Sequence, residues 1–166
     1  RRPNREVAEF IKEGKVGGVV LLSRNAEEAG EAADLICVLQ KLATAGSHAL
    51  PLFIAVDQEG GSVVRLTEGV TVFPSNMALG ATGRSDYALR AAEAVGEELA
   101  ALGVNMNFAP VLDVNNNPRN PVIGIRSFGE DLELVAEFGR MAIKGHQNQG
   151  VATVAKHFPG HGDTAF

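Results

Sequence analysis

Along the chain, apolar positions alternate between a helical spacing and short continuous runs. From Asn4 to Glu13, Val7, Phe10 and Ile11 recur on one helical face, and Gly17-Gly18 then breaks the run. Val19 to Leu22 is uninterrupted and apolar, as a strand buried on both faces reads. Ser23-Arg24-Asn25 leads out of it, with Asn25 placed to cap a helix and Glu28 three residues on as its capping-box partner. Ala29, Ala33, Ile36, Leu39 and Leu42 carry that helix to about Ala45, where Gly46 is a stop signal. Pro51 opens a second strand, Leu52 to Val56, which ends at Asp57.

Residues 58–84 break the rhythm. Gln58-Glu59-Gly60-Gly61 predicts a turn, Ser62 to Leu66 a short extended piece, and Thr71 to Ala81 a loop. Long excursions between a strand and its helix are more often functional than idle. Ser85 then caps a helix to about Leu102, stopped by Gly103, and a third strand runs from Asn105 to Val111 with Asp113 just beyond it. A second excursion spans Asn115 to Glu130. Asp131 starts a helix that fades near Gly150, and the strand Val151 to Ala155 follows at once.

The order αβαβαβαβ predicts parallel strands joined by crossover helices. Two closures fit, an open doubly wound sheet or part of a (β/α)8 barrel, and both put function at the strand C-termini. No GxGxxG or GxxxxGK[ST] follows a strand, which removes the main support for a dinucleotide or phosphate-loop site. A complete barrel takes about 250 residues. The expectation is therefore an α/β fold: a partial (β/α)8 TIM-type barrel of about four parallel strands, a single incomplete domain over residues 1–166, truncated at both ends. Its two unpaired edges call for a dimer partner or a further half to cover them.

Charge and termini narrow the partners. A net charge of −5 with no Lys/Arg run argues against a nucleic-acid groove. The opening RRPNREVAEF holds no continuous apolar segment, so neither a signal peptide nor a membrane span is expected, which favours a cytoplasmic setting over a secreted one. The lone Cys37 excludes an intrachain disulfide and reads as a small core residue.

The chemistry-bearing residues stand where the strands end. Asp57, Asp113 and Lys156-His157 each follow an apolar run, and Arg65 and Arg126 lie on the two excursions. Carboxylates and guanidinium groups around one mouth suit a ligand rich in hydroxyls, because both make charge-assisted hydrogen bonds. Other readings stay open: Asp57 as a loop carboxylate, Asp113 as a turn former beside three Asn, Arg126 as a partner of Glu130 or Asp131. His157, His161 and Asp163 suggest zinc, but Phe158-Pro159-Gly160 rules out a helix presenting both His, and no Cys or Glu completes the shell. Calcium at Asp113 and Asn115-Asn116-Asn117 would have a single carboxylate. No metal is expected.

Four stretches resemble glycoside hydrolase family 3, in its β-N-acetylhexosaminidase branch. They are Ala55-Val56-Asp57-Gln58-Glu59-Gly60-Gly61 with Arg65-Leu66, then Asn107-Phe108-Ala109-Pro110-Val111-Leu112-Asp113-Val114, then Ile125-Arg126-Ser127-Phe128-Gly129, and finally Lys156-His157-Phe158-Pro159-Gly160-His161-Gly162-Asp163-Thr164. The resemblance covers the chain from about Gly17 onward. It implies a retaining enzyme that removes terminal β-linked N-acetylglucosamine, usually in cell-wall muropeptide recycling, with no cofactor. It assigns Asp57, Arg65, Arg126, Lys156 and His157 to holding the sugar, and His161, Asp163 and Asp113 to supporting the loop around it. It also suggests a cis bond in the last stretch, for which Phe158-Pro159 is the physically cheap candidate.

By the same resemblance, an Asp nucleophile and a His–Asp acid/base pair are expected beyond Phe166. These 166 residues alone are then expected to be inactive. The alternatives are a phosphorylase of the same family and a non-catalytic carbohydrate-binding half-barrel.

Overall fold

The computed structural model describes residues 2–165. Four parallel strands lie side by side in chain order: β1 (Gly18–Leu21), β2 (Phe53–Val56), β3 (Met106–Asn107) and β4 (Ala152–Thr153). The expected α/β class with parallel strands is what forms, and four strands in one open sheet do not close a barrel.

Among the described residues six α-helices surround the connections: α1 (Arg5–Lys12), α2 (Ser23–Ala26), α3 (Ala29–Thr44), α4 (Asn76–Gly80), α5 (Ser85–Leu102) and α6 (Leu132–Asn148). Leu35, Ile36 and Leu39 of α3 pack with Ile54, Val56, Leu99 and Val104 beneath the sheet. A second cluster joins Ala88 and Ala92 of α5 to Phe128, Val135, Phe138 and Ala142. Gly145 lets α5 and α6 touch: a Cβ there would sit 2.5 Å from the Leu89 carbonyl oxygen and 2.7 Å from the Ala92 Cβ. Among the described residues no helix is long and apolar enough to cross a membrane.

Several local expectations are corrected. Asn25 does not cap the long helix. Its side chain accepts from Leu22 N within the short α2, and Glu28 caps α3 by accepting from Gly30 N and Glu31 N. A carboxylate at that position meets two free N–H groups and the positive end of the helix dipole. Ser85 is the first residue of α5 rather than its cap, and its hydroxyl donates to Glu137 at 2.6 Å. The segment read as loop from Thr71 to Ala81 contains α4, capped by Ser75. Cys37 is exposed, on the outward face of α3 with Asp34 and Lys41. Of the apolar face expected on α1, Ile11 is buried while Val7 and Phe10 are exposed.

The third strand is much shorter than Asn105 to Val111. Pro110 has no N–H to give a ladder, so regular pairing stops after Asn107. Pairing resumes once beyond it. Leu112 N donates to the Lys156 carbonyl at 2.7 Å and Lys156 N to the Pro110 carbonyl at 3.2 Å, which sets Lys156 opposite Val111. Side-chain amides replace the missing rungs. Asn105 accepts from Ile54 N and donates to Leu52 O, while Asn107 accepts from Gln58 N and donates to Gln58 O. Asn107 also meets the buried His146 of α6 at 2.9 Å.

Candidate active site

Each charged residue of interest sits just past the C-terminal end of a strand or on a loop rising from that end. Asp57 follows β2 directly. Three residues on, Gly60 and Gly61 adopt φ of +91° and +59°, a left-handed turn open to glycine at no steric cost. Gln58 anchors that turn: its buried side chain accepts from Arg65 N and Leu66 N and donates to Leu66 O. Arg65 is thereby carried back over the strand end. The second excursion brings in Arg126 on a single 3₁₀ turn, Gly124–Arg126, tied down by Asn76 of α4, which donates to the Arg126 carbonyl at 2.8 Å. Lys156 and His157 arrive on the segment after β4. The Lys156–His157 and Phe158–Pro159 bonds are cis, as is Ala109–Pro110. The expectation of a cis bond at Phe158–Pro159 holds.

These side chains form one continuous network. Lys156 Nζ lies 2.8 Å from Asp57 Oδ1 and 2.6 Å from Glu59 Oε1. Arg65 reaches the other Asp57 oxygen at 3.4 Å, and its Nε is buried with no hydrogen-bond partner among the described residues. Arg126 grips Glu59 through Nε and Nη2 at 2.9 Å each, and the same Nη2 lies 3.1 Å from His157 Nε2. His157 Nδ1 is 2.6 Å from Asp113 Oδ2, and the other oxygen of Asp113 accepts from His161 N at 2.6 Å. A depression of about 200 Å³ opens between Asp113 and the loop Lys156 to Gly160.

The electrostatics follow from these contacts. Burial alone would push the Asp57 carboxyl up. The Lys156 ammonium and the Arg65 guanidinium outweigh it and hold Asp57 below the usual carboxylate range. Hydrogen bonds to Glu59 hold Arg126 more firmly protonated, against the opposing effect of burial. Arginine has no acceptor atom, so His157 Nε2 must be the accepting nitrogen and Nδ1 the one that donates to Asp113.

All five residues expected to hold a ligand, Asp57, Arg65, Arg126, Lys156 and His157, therefore meet at one mouth. Asp113 joins them through His157, which is more than a turn former does. Arg126 pairs with Glu59 rather than with Glu130 or Asp131. His161 contributes its main-chain N–H to Asp113 while its ring contacts Thr164 Oγ1. Asp163 is exposed, and its main-chain carbonyl accepts from Asn117 at 3.4 Å. The described residues contain no cluster of three His, Cys, Asp or Glu side chains able to hold a metal ion.

The residue that sequence reasoning missed is Glu59. It looked like part of a turn, yet its side chain is 1% exposed and bridges Lys156 to Arg126. The available signal was its place two residues after a strand-end Asp, immediately before two glycines.

An open parallel α/β sheet with an ionic cluster at its strand C-termini has the layout of the functional face of a (β/α)8-type fold. The Glycosyl hydrolase family 3 N terminal domain profile matches residues 1–166, and the chain belongs to that family. A β-N-acetylglucosaminidase of this family from Paenibacillus sp. str. FPU-7 superposes with a TM-score of 0.92 at 53% identity, over 96% of this chain and 30% of that one. NagZ from Neisseria gonorrhoeae, solved in complex with N-trifluoroacetyl-D-glucosamine, gives 0.88 at 32% identity over 98% of this chain and 49% of that one. Beta-hexosaminidase A of Pseudoalteromonas piscicida is 45% identical over 163 residues, which is 96% of this chain and 27% of that protein. The chain thus spans less than half the length of each of these relatives.

Proposed function

We propose that this chain is the sugar-holding part of a retaining β-N-acetylglucosaminidase, one that releases terminal β-linked N-acetylglucosamine from cell-wall muropeptides or similar glycans. The observation that supports this reading best is the convergence of Asp57, Arg65, Arg126, Lys156 and His157 on one mouth, linked by contacts of 2.6 to 3.4 Å through Glu59. The names of the relatives support the sugar: two are called β-N-acetylglucosaminidase or beta-hexosaminidase, and a third was solved with an N-acylated glucosamine.

In this reading Asp57 accepts hydrogen bonds from ring hydroxyls, and Lys156 and the two arginines donate to sugar oxygens. His157 Nε2, whose single lone pair accepts from Arg126, holds that guanidinium toward the sugar. Together they fix the sugar's orientation, which is where positioning lowers the barrier to bond cleavage.

Retention of configuration needs a carboxylate nucleophile and a proton donor beside the glycosidic oxygen. The mouth carboxylates are poorly suited to either task. Asp57, Glu59 and Asp113 are each held by a cation or a histidine proton. We therefore assign the nucleophile and the acid/base to parts of the protein outside these 166 residues.

The test is turnover of a chromogenic β-N-acetylglucosaminide by the full-length protein. Lys156→Ala is expected to lower kcat/KM roughly 100-fold or more, since a charge-assisted contact to substrate is lost. Absence of turnover by the wild type sinks the reading. Sugar 1-phosphate formed in the presence of phosphate would replace hydrolysis with phosphorolysis.

A further inference from the structure

We propose that Glu59 is a positioning residue: the charge of its carboxylate, without touching ligand, sets Lys156 and Arg126 in the geometry that receives a sugar. The inference rests on the reading of this mouth as a sugar site.

Three observations carry it. First, the Glu59 side chain is 1% exposed, against 20% for Asp57, so Glu59 lies beneath the surface that a ligand meets. Second, it accepts at 2.6 Å from Lys156 and twice at 2.9 Å from Arg126, and so joins the segment after β4 to the second excursion. Third, the local chain is built to place it. Glu59 N donates to Val63 O, and a Cβ on Gly60 would lie 2.7 Å from the Pro74 carbonyl oxygen. A Cβ on Gly61 would lie 2.7 Å from that of Ser75.

Two cations this close repel unless a carboxylate lies between them. With Glu59 neutral, Lys156 keeps Asp57, but Arg126 retains only His157 and the Val122 carbonyl. A partly buried guanidinium left without its counter-charge turns toward solvent, away from the mouth.

The experiment uses the full-length protein and Glu59→Gln, which keeps the shape and removes the charge. Calorimetric titration with N-acetylglucosamine is expected to show affinity reduced roughly 10- to 100-fold. The charge-keeping Glu59→Asp recovers part of that loss. In a double-mutant cycle, Glu59→Gln adds less than about twofold on the background Lys156→Met plus Arg126→Met, because its partners are already gone. A residue with a merely structural role gives additive losses instead.

A second readout needs no sugar. The Nε–H of Arg126, bonded to Glu59, is expected to exchange slowly with solvent by NMR in the wild type and fast in Glu59→Gln. Wild-type affinity in Glu59→Gln, additive losses in the cycle, or an Arg126 Nε–H equally protected in both proteins each overturn the proposal. Should the wild type fail to bind the sugar, the proposed function falls, and Arg126 exchange still decides the role of Glu59.

Discussion

Asp113 Oδ2 lies 2.6 Å from Nδ1 of His157, and this contact, together with Arg126 at Nε2, decides which ring nitrogen carries the proton. With the Asp113 side chain 1% exposed, the proton stays on Nδ1 and Nε2 faces the mouth as an acceptor. Asp113→Asn presents either an amide N–H or a carbonyl oxygen and so weakens the preference for one tautomer, which only the Arg126 contact at Nε2 then supports. We expect ring-nitrogen NMR shifts of His157 to move from a single Nδ1–H form toward a mixture. Sugar affinity is expected to fall by about tenfold. A His157 spectrum unchanged by the substitution would show that Asp113 does not govern it.

His146 predicts a pH dependence of stability. Burial pushes its pKa below the ordinary 6.5, against a smaller opposing contribution from its bond to the Ala142 carbonyl. The unfolded chain then takes up the proton first. The stability contributed by neutral His146 is present above 6.5 and is lost as pH falls from there toward the folded value. Melting temperatures measured from roughly pH 7.5 down to 5.5 should decline, and His146→Gln should flatten that slope. An equal slope in both proteins would rule His146 out as its source.

Asp57 acts in a lower window. Its carboxyl, raised by burial but lowered further by Lys156 and Arg65, titrates below the ordinary 3.8. What it adds to stability is present above 3.8 and disappears as pH drops through the folded value. Asp57→Asn should therefore be less stable than wild type near neutrality, and the gap should narrow below about pH 4. Denaturant unfolding at both acidities measures it. A gap that stays constant to about pH 3 contradicts the assignment.

Gly145→Ala tests the contact between α5 and α6. The new methyl group would meet the Leu89 carbonyl oxygen at 2.5 Å and the Ala92 Cβ at 2.7 Å, and neither is the end of a flexible side chain. Overpacking of this kind costs about 1–3 kcal/mol. Each kcal/mol lowers the melting temperature of a chain this size by roughly 2–4 °C. Scanning calorimetry reads the shift, and an unchanged melting temperature would mean that the helices separate at little cost.

Parallel strands with crossover helices were legible because Val19 to Leu22 and Leu52 to Val56 are uninterrupted apolar runs and the helices between them keep their period. Positions governed by one local rule were legible too: Asp131 caps α6, and Gly103 ends α5 with φ of +89°. Failures came where a neighbouring element, the exact helical face or a distant residue decides. Glu28 rather than Asn25 caps α3, because α2 occupies Asn25. Cys37 is exposed because the buried stripe of α3 follows Ala32, Leu35, Ile36 and Leu39, and the helical repeat puts Cys37 on nearly the opposite face. Site residues at strand ends were visible one at a time. Their pairings were not, since Arg126 and Glu59 are separated by 67 positions and Asp113 and His157 by 44.

The paired amides of Asn105 and Asn107 have a consequence for how firmly the mouth is aligned. They act as pegs: sliding the third strand by one residue against the second would unseat both amides and leave the main-chain groups of Leu52, Ile54 and Gln58 without them. Slippage is thus penalised at both ends of a ladder only two rungs long. The spacing between chemical groups at the rim is guarded from below, by neutral side chains that no ligand needs to touch.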